Sequence, residues 1–263
     1  MPTDKPAAPA VVRAAAILDL ISGSMVPLSL ADLARELHMP KSTLHGLCAT
    51  LVQLNLITRL DSGQMTLGPH VMTWANAFLA RLDITQEFFA SWDDMRVLPE
   101  ETITLSIRDG DDVVYVACRN GSRPLGVTFR TGMRLPSIYT ATGKAMLSTL
   151  PDDVVRRLFG GRDSAWPKPL TSKGPRNIDE LLGEMAEARR RGYSIDRGEV
   201  REGMVCFGAP VFDSNGSEAV AGVAVSILSR QVDEALCERA GKAMQKLANH
   251  LSHRLGASYL PGS

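Results

Sequence analysis

Gly143-Lys144, Cys206 and five histidines are the residues of this chain whose types suit covalent chemistry, and their spacing withholds it. A phosphate loop needs a glycine five residues before the Gly-Lys pair and a Ser or Thr after it. This chain has Ile138 and Ala145 at those places. A cysteine nucleophile needs a base, most often histidine. His38, His45 and His70 stand far upstream of Cys206, and His250 and His253 fall in the last helical run. Cys48, Cys118, Cys206 and Cys237 are scattered without a Cys-x-x-Cys pair, so neither a zinc set nor a disulfide framework is indicated and no cofactor is expected. The pattern favours binding over turnover.

Binding chemistry is present in another form. Thr140-Ala141-Thr142-Gly143 opens a helical run, and a helix start offers free N–H groups and the positive end of the dipole to an anion such as a carboxylate. Ser226 offers a hydroxyl, Cys206 a small polarizable wall and Asp196 an acceptor for a ligand hydroxyl. Each also has an ordinary structural role: threonines cap helices, a strand cysteine fills space and an aspartate after a strand closes a turn.

These residues need a scaffold, and hydrophobic periodicity supplies one. Alternation marks strands over 102–107, 113–118, 125–130, 193–196, 204–212 and 219–228, with Asp213-Ser214-Asn215-Gly216 as a hairpin turn. Helical spacing marks 86–97, 141–150, 151–159, 178–191 and 232–255, and Gly192 closes the fourth of these. Strands at both ends with helices between them suit an antiparallel sheet covered by helices, the layout of a small-molecule sensor.

The first quarter of the chain reads differently. Ser29 and Asp32 are spaced as a capping box for a helix ending at Leu37. Pro40 suits the first position of a second helix, whose apolar face is Leu44, Leu47, Cys48 and Leu51. An earlier helix over 12–22 completes a small core, and the runs 56–60 and 64–67 around Asp61-Ser62-Gly63 form a hairpin. This is the order of a winged helix-turn-helix, with Ser42, Thr43 and His45 near base edges and Lys41, Arg59 and Gln64 near phosphates. Winged helices also serve as protein-binding modules, and a hairpin can simply cap a helical domain. Charge does not decide, because six basic residues up to Asp83 are matched by six acidic ones. After Gly68-Pro69, a stripe of Val71, Trp74, Ala75, Phe78, Leu79 and Leu82 reads as a linker helix with a dimerisation face.

The 263 residues carry 29 basic and 29 acidic side chains and are 44% hydrophobic, enough for two domains with separate cores. No apolar run approaches the ~18 to 20 residues that span a bilayer, and 1–10 lacks the pattern of a signal peptide, so a cytoplasmic location without membrane contact is expected.

Several ordered motifs resemble the IclR family of transcriptional regulators over 11–256. They are Leu33-Ala34, Pro40-Lys41-Ser42-Thr43-Leu44-His45, Leu67-Gly68, Gly132 with Leu135-Pro136, Thr140-Ala141-Thr142-Gly143-Lys144-Ala145, Leu170-Thr171, Arg191-Gly192-Tyr193 with Asp196 and Glu199, Gly203 with Cys206 and Ala209-Pro210, and Val225-Ser226. The resemblance implies an α+β protein in three parts. They are a winged helix-turn-helix at 11–68, a linker helix at 69–84, and a GAF/PAS-like sensor with an antiparallel sheet at 85–256 that binds effector and oligomerises. It also implies double-stranded operator DNA and a small organic acid or aromatic effector as partners, homodimers or tetramers, and no catalysis. Carried over by position, the effector site comprises Leu135, Ala141, Thr142, Asp196, Met204, Cys206, Ala224 and Ser226. Gly46 stands where many relatives carry arginine, Ala224 where some acid-binding relatives carry serine, and Thr171-Ser172-Lys173-Gly174-Pro175 departs from the usual threonine-rich continuation.

Overall fold

The computed structural model describes residues 8–79, 83–95, 98–122, 129–160, 166–216 and 218–257. The chain divides into two compact units, Met1–Arg81 and Leu82–Ser263.

The first unit holds α1 (Pro9–Gly23), α2 (Leu30–Leu37), α3 (Lys41–Gln53), β1 (Ile57–Arg59), β2 (Met65–Leu67) and α4 (His70–Leu79). The capping box forms: Ser29 Oγ accepts from the Asp32 N–H at 3.2 Å, and Asp32 Oδ2 accepts from the Ser29 N–H at 3.1 Å. His38 ends α2 in the left-handed region at φ 51°. Its ring Nδ1 lies 2.6 Å from the Arg35 carbonyl. Pro40 caps α3 from outside, one residue earlier than expected, because its ψ of 136° is extended. Ile17, Leu33, Leu44, Cys48, Leu51, Ile57 and Met65 from three helices and the hairpin bury one small core. α4 starts at His70, one residue after the start of the expected linker helix. Val71 packs on that core while Met72 and Trp74 stand exposed, and Leu82 of the expected stripe lies outside the described residues.

The second unit begins with α5 (Asp83–Met95), β3 (Thr102–Asp109) and β4 (Asp112–Arg119). It continues through β5 (Arg134–Pro136), a 3-10 turn at Ser137–Tyr139, α6 (Ala141–Leu147), α7 (Asp152–Phe159) and α8 (Ile178–Arg191). It closes with β6 (Ser194–Asp196), β7 (Met204–Val211), β8 (Ala221–Leu228) and α9 (Glu234–Arg254). Among the described residues six strands form one antiparallel sheet in the order β5-β4-β3-β8-β7-β6. Since successive strand residues face opposite ways, β7 presents Phe207, Ala209 and Val211 to one side and Met204, Cys206 and Gly208 to the other. α9 covers the first side, and α6 covers the second.

Two expectations need correction. Most of the strand expected over 125–130 lies outside the described residues, and Phe129 and Arg130 are not in a strand. The outer strand is β5, reached through a turn at Gly132, where φ is 87° and the N–H bonds the Tyr115 carbonyl at 2.7 Å. Three residues ending in proline are too few for alternation to show. α6 stops at Leu147 instead of Leu150 because the chain tightens into i to i+3 bonds from Thr149 and Leu150 before Pro151.

Candidate functional site

The residues expected to meet an effector all belong to one patch of the α6-facing sheet surface and the elements that close it. Register decides this. Cys206 pairs with Asp196 on β6 and Ser226 on β8, and Ser226 and Ala224 pair with Thr102 and Thr104 on β3. Cross-strand partners share a face, so Asp196, Cys206, Ser226 and Thr102 form one row, with Ala224 and Thr104 in the next. Ala141, Met204, Cys206 and Ala224 share a buried cluster with Val113, Tyr115, Phe129 and Met146, and Leu135 packs against it. Cys206 Sγ and Ser226 Oγ lie 3.3 Å apart.

The first turn of α6 closes down on this face because the sheet carries no side chain beneath it. A Cβ on Gly208 would sit 2.5 Å from the Ala141 carbonyl carbon, and one on Gly222 would sit 2.8 Å from the Thr142 carbonyl oxygen. The Ser194 hydroxyl donates to the Ala141 carbonyl. Thr140 is the helix cap, its Oγ1 accepting from the Gly143 N–H at 3.0 Å. Thr142 is buried and its Oγ1 has no partner, so the two threonines do different jobs.

Burial governs the electrostatics of this face. Asp196 is fully buried; its Oδ1 accepts from the N–H groups of Gly198 at 2.9 Å and Glu199 at 2.6 Å, while Oδ2 has no partner. Burial raises its pKa, against the pull of the Glu199 N–H and Lys144. Burial pushes the Cys206 thiol well above its ordinary range, with Asp196 adding to the shift, and lifts the Cys118 thiol to about 11. A thiol held protonated is a wall, not a nucleophile. Behind the face, Lys144 of α6 is 1% exposed and its Nζ lies 2.6 Å from both Glu199 and Glu184. Its charge is therefore consumed and unavailable to a ligand.

Sequence reasoning missed the floor residues Thr102 and Thr104 and the walls Val113, Tyr115 and Phe129. Alternation along β3 carries Thr102, Thr104 and Ser106 on one side and was sufficient to find the first two. Phe129 falls in the strand expected over 125–130 but lies outside any strand, so alternation gave a misleading signal there.

On the first unit, Lys41, Ser42 and His45 are exposed and Thr43 is half-buried at the N-terminal end of α3. Arg59 on β1 borders a hollow that it shares with His45, Ala49 and Val52 of α3. Gln64 is not free in the same way: its amide nitrogen donates to the Pro27 carbonyl at 3.2 Å, and its oxygen accepts from Ser62 Oγ at 3.0 Å. It braces the hairpin. Arg35 is engaged by Asp32 and Glu36 at 2.9 and 3.1 Å.

Among the described residues, no group of three His, Cys, Asp or Glu side chains is arranged to hold a metal ion, and no helix is long and apolar enough to cross a membrane. Residues 10–61 match the model of the IclR helix-turn-helix domain, and residues 76–253 match that of the bacterial transcriptional regulator IclR C-terminal domain. The chain is 42% identical to the crystal structure of the Agobacterium tumefaciens repressor BlcR, covering 97% of this chain and 100% of that one with a TM-score of 0.63. It is 26% identical to the Thermotoga maritima IclR, over 94% and 98% of the two chains with a TM-score of 0.74. It is also 31% identical over 229 residues to the probable transcriptional regulator SauR of Cupriavidus necator, covering 83% of this chain and 85% of that protein.

Proposed function

Because this chain belongs to the IclR family of transcriptional regulators, we propose that it is a repressor that holds operator DNA through α3 and releases it when a small organic acid or aromatic compound occupies the α6-facing sheet surface. The family makes it a regulator with a DNA-binding helix-turn-helix and an effector-binding C-terminal domain, not an enzyme. The repressor sense follows the printed role of the Agobacterium relative.

One observation carries the effector reading. Two buried polar atoms on the same face, Asp196 Oδ2 and Thr142 Oγ1, have no partner, and such groups ordinarily do. A ligand that offers a hydroxyl to Asp196 and an acceptor to Thr142 satisfies both, with its apolar part against Tyr115, Phe129 and Met204. A hydroxy acid is the simplest such compound. At the other unit, Ser42, Thr43 and His45 read base edges while Lys41 and Arg59 hold phosphates. The exposed Trp74 and Met72 of α4 are the pairing surface of a homo-oligomer working in the cytoplasm.

Fluorescence anisotropy on the intergenic DNA beside the protein's own gene, against unrelated DNA and across salt, tests this. Preferential, salt-sensitive binding that a panel of small carboxylic and hydroxy acids reverses is expected. Equal affinity for both DNAs, with the protein folded, would sink the operator reading. Effector sensitivity that survives Thr142→Glu would move the ligand elsewhere.

A further inference from the structure

Segment 196–203 starts at one candidate effector-site residue, Asp196, runs up to another, Met204, and is tied down from both sides. Asp196 Oδ1 holds the Gly198 and Glu199 N–H groups. Thr171 Oγ1 donates to the Gly198 carbonyl at 2.8 Å. Glu199 Oε1 takes Lys144 Nζ at 2.6 Å, and Lys144 lies one turn along α6 from Ala141. The Lys144–Glu199 pair thus joins the helix that roofs the effector face to the segment that borders it.

Charge in this seam is unbalanced. Glu199 is faced by Lys144 of α6, Glu184 of α8, Asp196 of β6, Cys206 of β7 and Tyr139 of the 3-10 turn. Arg191, Arg197, Glu180 and Glu187 line the same cleft of about 420 Å³ and Lys173 Nζ borders Gly198, without an ion pair to Glu199. Arg191 instead stacks on the Tyr193 ring at 5.6 Å. Three carboxylates therefore converge on one ammonium, and both Glu199 Oε2 and Asp196 Oδ2 are buried without a donor. A proton is the simplest relief of that excess.

We propose that Lys144 and Glu199 are positioning residues for the effector face, and that their clasp on segment 196–203 is proton-linked, tighter when Glu199 is protonated and looser when it is ionised. The sign follows from linkage. In the closed arrangement burial outweighs Lys144 and raises Glu199 to about 7. Swung out into water it returns to an ordinary value of about 4.3. The closed form therefore binds the proton more tightly, is favoured as pH falls below 7, and loses that advantage as pH rises through 7. Between pH 6 and pH 8 the closed-to-open ratio drops about tenfold.

Hydrogen exchange of the ligand-free full chain, corrected for the intrinsic pH dependence, reads this ratio. Protection of amides in 197–203 should fall about tenfold from pH 6 to pH 8 in the wild type, stay flat in Glu199→Gln, and keep its fall in Lys144→Arg, which preserves the charge. α9 should show no such fall. Constant wild-type protection, an equal fall in Glu199→Gln, or a fall that α9 shares would overturn the proposal. The consequence for sensing rests on the effector reading above. The exchange measurement uses no ligand, so it fails or stands apart from Thr142→Glu, which tests that reading alone.

Discussion

Replacing Gly208 by alanine is the smallest change that tests how the effector face is built. The added methyl would lie 2.5 Å from both the carbonyl carbon and oxygen of Ala141 and 3.0 Å from the Thr142 nitrogen. Carbon contacts settle near 3.5–4.0 Å, so α6 has to rise by roughly 1 Å, and its atoms are backbone that cannot rotate away. Overpacking of this kind costs about 1–3 kcal/mol. In a domain of this size each kcal/mol lowers Tm by about 2–4 °C, so calorimetry should show the C-terminal unit melting roughly 2–12 °C lower. The lifted helix start also displaces Thr142 beyond the roughly 0.5 Å tolerance of a binding constellation, so effector response should be lost while operator affinity remains. Gly183 in α8 provides the control, since a Cβ there meets nothing within 4 Å. Gly183→Ala should gain about 0.5–1 kcal/mol from helix propensity. A Gly208→Ala protein that melts within 1 °C of wild type and still responds to effector would refute the placement of α6 on this strand.

Lys144→Met should destabilise the C-terminal unit by about 3–5 kcal/mol, because Glu199 is left buried without its cation. Glu199 can escape the penalty by holding a proton, so denaturant titrations should show a larger loss at pH 8 than at pH 6. Thr43→Glu places an acid on the reading end of α3 and should abolish operator binding with fold and effector affinity intact; undiminished binding would remove α3 from the groove. Arg59→Ala should weaken all DNA alike and reduce the salt slope by about one per contacting subunit, whereas an unchanged slope would leave Arg59 off the phosphates.

Legibility followed the physics of each element. The capping box of α2, the apolar faces of α3 and α8, and the alternation in β3, β4, β7 and β8 are local patterns, and a sequence displays them directly. β5 was invisible because its position depends on pairing with β4 through Val113 and Leu135, not on its own three residues. The candidate site came as positions carried over by resemblance, without a geometry. The split between Thr140 as cap and Thr142 as unpartnered lining depends on how α6 meets Gly208 and Gly222. Lys144 posed the opposite problem: the Gly-Lys pair drew attention as a phosphate motif, and its role emerges only when Glu199, 55 positions away, closes on it.

The helix-turn-helix unit ties two polar side chains back onto itself. Arg35 is occupied by its own helix, and Gln64 is turned back onto Pro27. Random sequence offers a protein little besides phosphates, and the hold on it scales with the cations available to neutralise them. On the proposed reading, in which Lys41 and Arg59 hold phosphates, such a reader detaches quickly from non-operator sequence. The same reading expects many brief landings on a chromosome rather than long slides, with a matching set of base edges extending the stay.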